Sequence, residues 1–70
     1  MGHMEKSLED FDRAISLDSQ NSIIYSNRGL VNRKMENFEK AIEDYSAELK
    51  YGPPNNLKAF NNRAYCYAKL

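Results

Sequence analysis

Glu5-Lys6-Ser7-Leu8-Glu9-Asp10-Phe11 returns as Glu39-Lys40-Ala41-Ile42-Glu43-Asp44-Tyr45, a shift of 34 residues. Tyr25-Ser26-Asn27-Arg28-Gly29 returns as Phe60-Asn61-Asn62-Arg63-Ala64, a shift of 35. A period of this size restricts the chain to stacked supersecondary units. Each unit is too small to bury its own apolar face and must be covered by its neighbours. The alternative of one closed core is poor for 70 residues with the single cysteine Cys66 and therefore no internal disulfide.

The apolar residues recur with a helical period. Leu8, Phe11, Ala14 and Ile15 share one face, and Ile42, Tyr45 and Leu49 share the equivalent face one period later. Ile24, Tyr25, Leu30 and Val31 form a second pattern, echoed by Phe60, Ala64, Tyr65 and Tyr67. Turn formers interrupt these patterns at Asp18-Ser19-Gln20-Asn21 and at Gly52-Pro53-Pro54-Asn55. A third break is expected near Met35-Glu36-Asn37. The spacing predicts four helices, at 5–17, 22–35, 38–51 and 57–70, and no strand. Met1-Gly2-His3-Met4 reads as an expression scar and is left outside the repeats.

The pattern resembles the tetratricopeptide repeat family, in which two antiparallel helices, A and B, make each unit of 34 residues. Tyr25 matches the aromatic position that opens helix A, and Gly29 the small position where A and B cross. Ala41 and Tyr45 match the small and aromatic positions of helix B, and Pro53 the closing proline. The resemblance implies an all-α fold of antiparallel helical hairpin repeats, an α-solenoid fragment with helices in the order B-A-B-A. It divides the chain into a half repeat at 5–21, a complete repeat at 22–55 and a half repeat at 56–70. Neither end resembles a polar capping helix, so the chain is expected to come from a longer array.

Several residues depart from the family pattern. Arg28 and Arg63 stand where leucine is usual, and Asn32 stands in place of a tyrosine. Glu48 replaces a small residue, Ser19 a proline, and Glu36 the glycine that turns A into B. With Glu36 there, nothing local forbids helix from running through 34–38. A merged A–B helix could then exchange halves between two chains as a domain-swapped dimer.

Ten basic and ten acidic side chains leave no net charge. Bulk attraction to nucleic acid or to an anionic membrane is therefore not expected, and no run approaches the roughly 18 apolar residues of a membrane span. The five tyrosines at helical spacing read as packing rather than as base-stacking platforms. One thiol and no glycosylation acceptor favour an intracellular, cytoplasmic protein. His3, the only histidine, lies in the scar, so no histidine-based catalytic pair exists; neither enzyme activity nor a cofactor or metal is expected.

The charges are nonetheless sorted. Every acid lies outside the two expected A helices, which carry Arg28, Arg33, Lys34, Lys58, Arg63 and Lys69. The resemblance implies that A helices line a concave groove, here Ser26, Asn27, Leu30, Arg33, Lys34, Lys58, Asn61, Asn62 and Tyr65. A positive groove suits an acidic protein segment or C-terminal peptide. The same sorting also fits salt bridges between A and B helices.

Some members of the family clamp the C-terminal carboxylates of heat-shock chaperones. Asn27 and Lys58 fall on two such clamp positions, while Asn62 stands where a further arginine is expected. Asparagine at the position of Asn27 also serves structure in ordinary members. Two function classes result: a scaffold whose A-helix face holds a peptide, or a spacer and self-assembly element. Exposed B and A faces at the two ends favour homo-oligomers, by head-to-tail stacking or by the swap.

Overall fold

A computed structural model describes residues 2–70, with side chains from His3 onward. Four helices follow one another: α1 (Gly2–Leu17), α2 (Ser22–Lys34), α3 (Phe38–Tyr51) and α4 (Leu57–Lys69). They pack as successive hairpins, α1 on α2, α2 on α3 and α3 on α4. The Cα extents of 30 × 27 × 14 Å describe a thin slab. In so thin a body few side chains can be enclosed. The fully buried apolar residues are Ala41, Tyr45, Ala59 and Cys66, with Phe38 and Ile42 packed against that cluster. No helix of the described residues is long and apolar enough to cross a membrane.

The turns explain the boundaries. Asn21 caps α2, its side-chain oxygen accepting from the Ile23 N–H at 3.0 Å while its amide donates to Asp18 at 3.1 Å. Asn56 caps α4 by accepting from the Ala59 N–H at 3.1 Å. Its amide also donates to Glu48 Oε2 at 2.8 Å, so one residue ties the start of α4 to α3. Helix α1 begins at Gly2, three residues before the expected start, so helix covers part of the segment read as a scar. Met4 is half-buried there.

The break expected near Met35-Glu36-Asn37 is present, between α2 and α3, and helix does not run through Glu36 here. Glu36 adopts φ 63°, the only positive φ of a non-glycine residue among those described. Its N–H donates to the Arg33 carbonyl at 3.0 Å and the Asn37 N–H to the Asn32 carbonyl at 2.8 Å. These two bonds form a Schellman closure, normally built on glycine. They satisfy carbonyls that would otherwise be left open at the end of α2. The closure outweighs the left-handed strain at Glu36, about 1 kcal/mol for an L-residue, and the hairpin bends as it would with glycine.

Gly29 marks the crossing of α2 and α3, as the pattern indicated. A Cβ there would lie 3.0 Å from the Tyr45 ring and 3.2 Å from the Asp44 Cβ. Only a residue without a side chain lets the two backbones approach this closely over a buried tyrosine.

Candidate interaction face

Two arginines at former leucine positions do not simply add charge to a groove. Arg28, on α2, reaches α1 and α3 at once. Its Nη1 donates to Asp12 at 2.9 Å, and its Nη2 and Nε donate to one oxygen of Asp44 at 2.6 and 2.9 Å. Asn32 donates to the other Asp44 oxygen at 2.9 Å. Asp44 is buried, so this pairing is what lets a carboxylate sit inside the slab. Burial works against the Arg28 charge, but the hydrogen bonds and charges of Asp44 and Asp12 outweigh it and hold the guanidinium above its ordinary range. For Arg28 the pairing of A with B helices is therefore the correct reading. Asp12 and Asp44 each lie 16 residues from Arg28. A residue on an A helix is flanked at that separation by the B helices before and after it, and this spacing is the signal that would have revealed the network.

Arg33 behaves differently. It donates from Nη1 to Asn62 on α4 at 3.2 Å and lies 5.3 Å from the Tyr65 ring centroid. Lys69 lies 5.4 Å from the same ring. One tyrosine thus holds two cations near its π-face, an attraction of about 0.5–1 kcal/mol each where exposed. Arg33, Asn62 and Tyr65 are brought together and join α2 to α4, while Lys69 is a member of this cluster absent from the expected set.

The other expected residues lie on the same two helices. Asn27, Leu30, Lys34, Lys58 and Asn61 are exposed and Ser26 is half-buried. Lys34, Lys58 and Lys69 have no acidic partner among the described residues. Arg63 instead turns to α3 and donates to Ser46 Oγ at 3.1 Å.

Cys66 is fully enclosed, and burial pushes its thiol up, with Arg33 partly opposing. Its thiolate is therefore disfavoured. Tyr45 is likewise enclosed, and burial pushes its phenol up to about 12.

Comparison with known proteins agrees with this geometry. Residues 23–49 match the family model described as tetratricopeptide repeat. The whole chain is 40% identical over 70 residues to the Hsp70-Hsp90 organizing protein of Triticum aestivum, covering 12% of that protein. It is 36% identical over 59 residues, 84% of the chain and 17% of the relative, to the small glutamine-rich tetratricopeptide repeat-containing protein of Dictyostelium discoideum. It is 31% identical over 61 residues, 87% of the chain and 12% of the relative, to tetratricopeptide repeat protein 6 of Homo sapiens. The chain thus spans less than a fifth of the length of these relatives. No solved structure gives a significant match. With the glycine crossing, the buried helix-B aromatic and the matched hairpin in place, the chain belongs to the tetratricopeptide repeat family.

Proposed function

We propose that the chain is a non-catalytic protein-interaction scaffold whose α2–α4 face holds an acidic segment of a partner protein. The observation that carries this reading is the Arg33–Asn62–Tyr65–Lys69 cluster, with Lys34 and Lys58 lacking any acid to neutralise them. A local positive field on a neutral molecule steers and orients an anionic partner. The exposed amides of Asn27 and Asn61 add hydrogen-bonding capacity for a carboxylate or an extended backbone. The relative named Hsp70-Hsp90 organizing protein is consistent with a role in holding protein partners.

The test is binding of a fluorescent acidic peptide with a free C-terminus, compared with its amidated form. Lys58→Ala and Asn27→Ala should each weaken binding about two- to fivefold, as expected for one exposed charged and one exposed hydrogen-bonding contact. Added salt should weaken it further. Binding indifferent to both substitutions and to salt would remove this reading. The spacer alternative predicts no peptide preference at all.

A further inference from the structure

The serines of the chain differ in what their hydroxyls meet. Ser7 and Ser16 donate to carbonyls of their own helix, those of His3 at 2.8 Å and Arg13 at 2.7 Å. Ser46 is the one whose hydroxyl, among the described residues, accepts from an arginine. Its Oγ lies 3.1 Å from Arg63 Nη1, across the contact between α3 and α4.

The internal repeat shows the same contact with a charge in it. The residue 34 before Ser46 is Asp12, and the residue 35 before Arg63 is Arg28. Arg28 Nη1 donates to Asp12 at 2.9 Å, an ion pair that clips α2 to α1. The aromatic ring beside the guanidinium is kept as well: Tyr25 lies 5.6 Å from Arg28, and Phe60 lies 5.5 Å from Arg63. The same donor in the same pose therefore meets a carboxylate at one joint and a neutral hydroxyl at the next.

We propose that Ser46 is a charge-controlled joint between repeats: a phosphate on its hydroxyl clips α4 to α3 as the Asp12 carboxylate clips α2 to α1. In the transfer, Ser46 Oγ bonds to the γ-phosphorus of a nucleoside triphosphate. The bond from that phosphorus to the bridging oxygen breaks, the diphosphate leaves, and the hydroxyl proton passes to the base of the kinase. Ser46 is half-buried, whereas its neighbours Asp44 and Tyr45 are enclosed, so the phosphate keeps its contact with water. A phosphoserine reaches further than an aspartate, and the half-buried Arg63 has a flexible stem on which its guanidinium can give way. Along α3, Glu43 lies three residues before Ser46 and Lys50 four residues after it. Repulsion from the first and attraction to the second are similar in size and nearly cancel. Arg63 then decides the sign, because its fork makes charge-assisted hydrogen bonds to phosphate oxygens that a hydroxyl cannot match. The inference stands independently of peptide binding.

Chemical synthesis of the 70-residue chain with phosphoserine at position 46 tests it. Urea unfolding at pH 7, followed by circular dichroism, compares this chain with the unmodified one. The unfolding constant should fall about fivefold, as expected when a neutral hydrogen bond becomes one to a charged group. In an Arg63→Gln background the same phosphate should give no stabilisation. A phosphorylated chain no more stable than the unmodified one would overturn the proposal. So would a gain in stability that survives Arg63→Gln.

Discussion

Tyr45 is enclosed at the centre of the slab, and its hydroxyl finds no hydrogen-bond partner among the described residues. Burial disfavours the phenolate and raises the group from 10.0 to about 12, on the order of 2–3 kcal/mol once both states are titrated. Above pH 10 the unfolded chain loses the Tyr45 proton while the folded chain keeps it. Stability is complete below pH 10 and falls as pH climbs towards 12. A domain of this size has only about 3–10 kcal/mol in total, so the loss is a large fraction of it. Tyr45→Phe keeps the ring and removes both the titrating proton and the unpaired hydroxyl. It should be neutral to about 1 kcal/mol stabilising at pH 7. Its advantage should widen by about 1 kcal/mol by pH 11, with most of the change between pH 10 and 11. Urea unfolding followed by circular dichroism at pH 7, 9, 10 and 11 measures both proteins under matched conditions. The lysines and other tyrosines titrate in both and cancel in the difference. Parallel loss of stability in the two proteins would refute the argument that Tyr45 is the buried alkaline trigger.

Gly29→Leu should destabilise the chain by about 1–3 kcal/mol in chemical denaturation, because any Cβ meets the Tyr45 ring at 3.0 Å. Glu36→Gly should stabilise it by about 0.5–1 kcal/mol, seen as a rise of a few degrees in Tm, since glycine accepts φ 63° without a side-chain clash. Arg28→Ala should cost about 3 kcal/mol by stranding the Asp44 carboxylate, and adding Asp44→Asn should recover part of that in a double-mutant cycle.

The sequence by itself determined what depends on neighbours along the chain. Helix periodicity, the Asn21 turn, the Gly52-Pro53-Pro54 break and the small residue at Gly29 are all local signals, and each reappears in the structure. The 34-residue echo extended them to an order of packing, because equivalent residues must meet equivalent neighbours. Tertiary structure decided what depends on residues far apart approaching one another. Arg28 is divided between Asp12 and Asp44, whereas Arg33 joins Asn62 and Tyr65 across 29 residues. Composition assigns the same charge to both and cannot separate an arginine clipped between two carboxylates from one laid against an amide and an aromatic ring. Cys66 and the Tyr45 hydroxyl are enclosed only because α3 is covered by helices on both sides. At Glu36 the residue type alone leaves continued helix open, and the chain turns there. Two backbone hydrogen bonds and the packing of α3 against α2 are worth more than the strain of one left-handed residue.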